Sequence, residues 1–323
     1  MSSRQRQTQS GFALITVILV AALVAIISSE LLSKQQAQIQ RSGYMLHQTQ
    51  ALSVAWGLES WVKQGLALDG KNNKTDHLGE LWAQPLPPIP FEDGEISGEL
   101  LDAQAKLNVN ALLSVDAKRK ELWHAVFNRY AQQQNLNLNL ADLIEDWIDR
   151  DSEPLAGGAE SDQYLLNTPA FSAANQPMVT PQEVFNLQGV QTLTFQQKTL
   201  LVANLSALPQ ETAVNINTAS EAVLLSLSPW MTVQVVQAWL NQRIGNPAEK
   251  VDDFHRFLIG VTGLTLEEVA KDLPEGLISV RSDFFILNGR IDFGLARQQV
   301  SGLFYRNEQN QVKILQRWLS VPE

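Results

Sequence analysis

The sequence predicts an α+β fold: a long N-terminal helix packed on a small antiparallel sheet, with a large all-α insertion between the strands. Three observations carry this. An apolar run beginning at Phe12 opens a helical pattern that continues for about 50 residues. Segments rich in β-formers occur in two separated places, before residue 108 and after residue 277. Between them, over 111–275, the apolar spacing is helical. The implied division is a cleaved leader over 1–11, a transmembrane and stem helix over 12–66, a β part made of 67–108 and 277–323, and an inserted helical domain over 109–276.

The chain has 323 residues, a formal net charge of −10 and no cysteine. The acidic balance repels nucleic-acid phosphates and argues against a DNA or RNA partner. Lack of cysteine removes disulfides, thiolate metal sites and a cysteine nucleophile. An extracytoplasmic protein without disulfides must hold its loops another way, and a bound metal is one.

Residues 1–10 are polar and carry only the charges of Arg4 and Arg6; Gly11 follows, and then an uncharged stretch over 12–29. These 18 residues make roughly 27 Å of helix at ~1.5 Å per residue, enough to span a hydrocarbon core about 30 Å thick. Arg4 and Arg6 hold the N-terminus in the cytoplasm, so the rest of the chain lies across the membrane. A secretory cleavage site is poorly matched by Ser28-Ser29-Glu30. A plain signal anchor competes with a third reading. The short basic leader, Gly11, Phe12 and apolar helix resemble the leaders of type IV pilins and pseudopilins. That resemblance implies cleavage between Gly11 and Phe12 and N-methylation of Phe12. It also makes Thr16 a departure, because the fifth mature position usually holds a Glu that neutralises the terminal amine of the subunit above. A subunit with nothing above needs no such carboxylate, so Thr16 is read as a mark of the filament tip. The plainer alternative is a Thr hydroxyl bonded back along its helix.

Beyond the membrane no Pro interrupts 31–66, and Ala51, Val54, Ala55, Leu58, Trp61 and Val62 recur at helical spacing. A polar, then Pro-rich connection follows over 70–91. Residues 95–102 and 105–108 read as strands around a turn. Helices are expected over 116–133, from Ala141, and after Thr180, Thr194, Thr218, Thr232 and Thr265, several with an acidic residue or Gln placed to complete a cap. Strands are expected over 277–280, 284–293, 295–306 and 312–319, with turn signals at Asn288-Gly289 and 307–310.

Eight carboxylates and one base, Arg150, fall between Asp142 and Asp162. Asp149, Asp151 and Glu153 alternate as the helix ends, and Glu160 and Asp162 return across the 156–159 turn with its paired glycines. Either this is a solvated acidic loop or a cation neutralises it. Ca²⁺, which takes ~6–8 oxygen ligands in loose geometry, suits the second case. EF-hand spacing is absent. Asp146 and Asp149 could also be imagined as a glycosidase pair, though helical-turn spacing beside other acids fits a cation better. Four scattered histidines, His47, His77, His124 and His255, have no metal-ligand spacing. The 215–243 segment looks like a helix-hairpin-helix unit whose hairpin lacks Gly, which leaves it a packing role. No nucleophile elbow, phosphate loop or zinc-protease motif is present.

Across almost the whole chain the sequence resembles the protein K family, the large minor pseudopilins of type II secretion. The resemblance rests on Gly11-Phe12, Thr16, Lys106-Leu-Asn-Val-Asn110, Asp146-Trp-Ile-Asp-Arg-Asp-Ser-Glu-Pro154 with Gly158-Ala-Glu160, and Val214-Asn-Ile-Asn-Thr-Ala-Ser-Glu221. It implies a non-enzymatic subunit that caps the tip of the periplasmic pseudopilus and helps start its assembly for protein export. The implied setting is a single pass through the bacterial inner membrane with the C-terminal part in the periplasm. The implied partners are other minor pseudopilins, the inner-membrane secretion platform and prepilin peptidase. It also implies structural Ca²⁺ near the acidic motif, where Asp149, Asp151, Glu153, Glu160 and Asp162 are the candidate ligands. The alternatives are an anchored extracytoplasmic enzyme or sensor, and a type IV pilus minor pilin, whose head would be smaller. The mature N-terminus discriminates: mass spectrometry should find Phe12 first, and an intact Met1 in cells with active prepilin peptidase would sink the leader reading.

Overall fold

The computed structural model describes residues 10–92, 94–294 and 296–320. Helix α1 spans Ser10–Asn72, roughly 95 Å at ~1.5 Å per residue. Over 12–46 it is almost wholly exposed, and it begins to pack at Ala51. From there Ala51, Ala55, Leu58, Val62 and Leu66 form one buried stripe at spacings of three and four. The helix outruns the expected end at 66. Gly70 lets it continue flush against the sheet, because a Cβ there would stand 2.5 Å from Asn310 Oδ1 and 3.0 Å from Arg306 Cδ.

Two strands follow, β1 (Leu86–Phe91) and β2 (Gly94–Asp102). The Pro-rich connection is therefore partly strand. Its prolines are tolerated because β1 is the outer strand, unpaired on one side, and because Pro87 and Pro88 fall where its register with β2 is irregular. The expected strand over 105–108 shrinks to β3 (Leu107–Asn108), which leaves the sheet and pairs in parallel with β4 (Leu205–Ser206). Asn108 diverts the chain: its Nδ2 donates to Gln210 O at 2.8 Å, and its Oδ1 accepts from Leu208 N at 3.0 Å.

The helical region contains α2 (Ala117–Gln133), α3 (Leu140–Ile148), α4 (Ser161–Tyr164) and α5 (Phe195–Ala203). After β4 and β5 (Val214–Asn215) come α6 (Glu221–Leu227), α7 (Val233–Gly245), α8 (Val251–Thr262) and α9 (Leu266–Asp272). Asp116, Thr194, Thr232 and Thr265 cap α2, α5, α7 and α9 through their side chains. Two expectations shift: Ser220, not Thr218, caps α6, and Thr180 opens only a 3₁₀ segment, Pro181–Asn186. Helix α8 was not anticipated. The expected strand over 277–280 is β6 (Ile278–Ser279), which pairs in parallel with β5 rather than joining the sheet.

The chain closes with β7 (Phe284–Phe293), β8 (Ala296–Arg306) and β9 (Val312–Ser320). Sheet order is β1-β2-β7-β8-β9, antiparallel throughout. Asn288-Gly289 is not a turn but the middle of β7, with Gly289 opposite Gly98 and Val300. Gly stands there because the stem lies close: a Cβ would meet Leu58 Cδ2 at 2.9 Å.

The cores are separate. Leu58, Val62 and Leu66 pack on Phe285, Leu287 and Phe304, and Ala51 and Ala55 pack on Ile291, Phe293 and Val300. A larger core, with Trp123, Phe127, Trp239 and Phe254, draws its buried residues from 107–278. These contacts also fix direction. The Phe293 end of the sheet lies beside Ala51 and the Phe285 end beside Leu66. Asp102 pairs with Phe285, so both crossings into the helical domain leave from the end of the sheet furthest from the apolar segment.

Candidate metal centre

Helix α3 is short and strongly amphipathic, and it buries Leu140, Leu143, Ile144, Trp147 and Ile148 in the helical core. That orientation carries Asp146, three residues after Leu143, to complete burial. The helix ends at Ile148, and Asp149 turns extended with its N–H on Glu145 O at 2.8 Å. An irregular loop returns to Glu160, the N-cap of α4, in a capping box with Gln163. Along the way Leu155 N donates to both oxygens of Asp146, at 3.1 and 3.3 Å.

Asp146, Asp149 and Glu160 converge, each offering a carboxylate oxygen within 4.8 Å of the others. Two buried oxygens, Asp149 Oδ1 and Glu160 Oε1, have no hydrogen-bond partner. Gly158 makes the approach possible, because a Cβ there would lie 2.0 Å from Asp146 Oδ2. Burial first, then neighbouring Glu160, Asp149 and Asp142, push the Asp146 carboxyl up to about 7. Burial, Asp151 and Glu160 push Asp149 up to about 6, and burial raises Glu160.

The two bases that α2 brings near are engaged elsewhere. Lys120 and His124 both bind Glu145, and His124 Nδ1 lies 3.3 Å from Asp142 Oδ1. Asp142 Oδ2 accepts from Gly157 N at 3.0 Å and from Asn139 Nδ2 at 2.6 Å. The acids around the end of α3 thus divide into a partnered pair, Asp142 and Glu145, and an uncompensated group, Asp146 and Asp149 joined by Glu160 from the α4 cap. An all-oxygen set with unpaired buried oxygens fits a hard divalent cation such as Ca²⁺ and lacks the nitrogen or sulfur typical of zinc.

Of the five candidate ligands, the structure brings together Asp149 and Glu160. Asp151, Glu153 and Asp162 are exposed and lie outside that group. Asp151 Oδ1 instead accepts from Glu153 N at 3.0 Å. Asp146 takes the third place. Helical spacing puts it on the acidic face of α3 with Asp142, Glu145 and Asp149, so nothing in the sequence set it apart from them.

A second convergence, Asp69, Asp76 and Glu80, already has its cation. Arg306 bonds Asp69 at 3.0 Å and Asp76 at 2.6 Å. Glu80 Oε2 accepts from His77 N and Trp82 Nε1 at 3.0 and 2.7 Å. At the other end of the molecule, Gly11 and Phe12 lie in the first turns of α1 with Phe12 exposed, while residues 1–9 of the leader lie outside the described residues. Thr16 Oγ1 bonds back to Phe12 O at 3.2 Å and Ala13 O at 2.9 Å.

A helix long and apolar enough to cross a membrane, seated by its distal half on a five-stranded antiparallel sheet, is a pilin-like architecture. The family model described as type II secretion system protein K matches residues 105–210 and 214–281 in two parts. The chain is 30% identical over 328 residues to type II secretion system protein K of Pseudomonas aeruginosa, covering 97% of this chain and 93% of that one. It is 28% identical to the Klebsiella pneumoniae protein, covering 95% and 94%. A chain in the crystal structure of the GspK-GspI-GspJ complex from enterotoxigenic Escherichia coli superposes with a TM-score of 0.75 at 26% identity, covering 87% of this chain and all of that one. The chain belongs to the type II secretion system protein K family.

Proposed function

We propose that this protein caps the tip of the periplasmic pseudopilus and helps to start its assembly. The observation that carries this is direction. The helical domain leaves the sheet at the end of the stem furthest from the apolar segment, where a subunit stacked above would have to sit. Below it, α1 is exposed over 12–46 and lacks packing partners among the described residues of its own chain. That surface suits the stems of smaller minor pseudopilins, in line with the related chain solved with GspI and GspJ. Thr16 gives no carboxylate to a subunit above, while the amine of Phe12 can still meet one from below. In this reading Phe12 becomes the methylated N-terminus after prepilin peptidase cleavage, α1 crosses the inner membrane once, and the head stands in the periplasm. The role is structural and involves no nucleic acid. Ca²⁺, held by Asp146, Asp149 and Glu160 with Asp151 and Asp162 adding negative potential, fixes the irregular 149–160 loop. Membership of the protein K family favours this reading over a type IV pilus minor pilin.

Sheared filaments carrying an epitope on this protein test the cap. Label should fall at one end only and be far scarcer than the major subunit. Labels at regular intervals along the filament would rule the cap out even with the fold correct.

A further inference from the structure

The Val214–Glu221 motif is not consumed by the metal centre or by the stem, yet Asn215, Asn217 and Thr218 within it are buried. Asn215 and Thr218 converge on Asp102, the last residue of β2. Asp102 Oδ2 accepts from Thr218 Oγ1 and Ser282 Oγ, both at 2.6 Å, and from Asn215 Nδ2 at 3.1 Å. Its Oδ1 accepts from Gln104 N at 2.8 Å. Asn215 Nδ2 also reaches Asp76 O at 3.0 Å, beyond the end of the stem. Ser282 N donates to Asp76 Oδ2 at 2.8 Å, and Arg306 ties Asp76 to the end of β8. One carboxylate therefore joins both crossing segments to the helical domain, and Asn215 and Ser282 extend the link to Asp76 at the stem exit.

Gln104, two residues on, adds a second polar tie: its Nε2 donates to Ala213 O at 3.0 Å and its Oε1 accepts from Asp283 N at 2.6 Å. The cores of the two parts do not merge, and the buried apolar contact across the boundary is a small cluster in which Leu208 meets Ala103, Phe284 and Leu303. Apolar contact is non-directional and permits sliding; several short hydrogen bonds to one charged group do not. Burial pushes the Asp102 carboxyl up to about 6, and the Ser282 and Thr218 hydroxyls act in the opposite direction.

We propose that the Asp102 node, with Asn215, Thr218 and Ser282, is the joint that holds the helical domain at one orientation on the stem, so that breaking it frees the domain to swing as a folded body. This joint sets orientation, whether or not the chain caps a filament.

The native chain is free of cysteine, so spin labels can be placed cleanly at Gln64→Cys on α1 and Gln237→Cys on α7, both exposed. Distances are read by double electron–electron resonance on the full chain in nanodiscs. Near-UV circular dichroism of the buried tryptophans reports whether the helical core is retained. The labelled wild type should give one narrow distribution. Asn215→Ala with Thr218→Val, and separately Asp102→Asn, should widen it at least twofold with the tryptophan signal retained. Tyr130→Phe, which removes bonds to Leu200 O and Leu201 O inside the helical domain, should leave the width unchanged. An unchanged width in folded joint variants overturns the proposal, as does equal widening in Tyr130→Phe. Loss of the tryptophan signal in both joint variants also overturns it, because the node would then belong to the folding core.

Discussion

Replacing Arg306 by Met is expected to destabilise the head by about 3–5 kcal/mol, the range for removing one partner of a buried ion pair. Arg306 is 1% exposed, bonded to Asp76, itself 1% exposed, to Asp69, and to Ser282 O at 2.7 Å. Its guanidinium carbon also stands 4.9 Å from the Phe285 ring centroid. Met keeps much of the volume, so the loss comes from leaving the Asp76 carboxylate buried without its cation. At roughly 2–4 °C per kcal/mol for a domain of this size, the midpoint should fall by about 6–20 °C. Combining Arg306→Met with Asp76→Asn should recover a good part of that, since no charge is then stranded. Thermal and urea unfolding of the four proteins gives the cycle. A single-variant loss under about 1 kcal/mol would show that Asp76 finds relief elsewhere.

Chelation should have the next largest effect. If Ca²⁺ binds only the folded state, a hundredfold excess over Kd stabilises by about 2.7 kcal/mol, or roughly 5–10 °C. The sign of Asp146→Asn is the sharper test. In calcium the variant should melt below the wild type, having lost a ligand. In chelator it should melt at or above the wild type, because it removes a buried charge that Asp149 and Glu160 repel. Gly158→Ala should abolish the response to calcium through its Cβ, which would fall 2.0 Å from Asp146 Oδ2. A solvated acidic loop predicts none of this. Identical transitions with calcium and chelator, together with no metal by elemental analysis, would dispose of the site.

What the sequence determined by itself is local in origin. An 18-residue uncharged run behind Gly11 is long and apolar enough to cross a membrane. The stripe from Ala51 to Leu66 places one face of the stem on a sheet. Alternation and turn residues mark the last three strands almost to the residue, and the density of acids between Asp142 and Asp162 marks the candidate metal loop. Only the tertiary structure decided features that depend on partners distant in the chain. Asn288-Gly289 carries a local turn signal, but Leu58 lies above Gly289 and requires its lack of a side chain in mid-strand. The prolines of β1 argue against a strand until its outer position and irregular register accommodate them. Asp146 joins Asp149 and Glu160 because packing of α3 buries it and Gly158 leaves it space. Arg306, Asp76 and Asp102 belong to three separate segments with no spacing in common. Each looks solvated along the sequence, and each is held by partners brought in from more than a hundred residues away. Hydrophobic periodicity is written along the chain, whereas the compensation of a buried charge depends on what folding brings beside it.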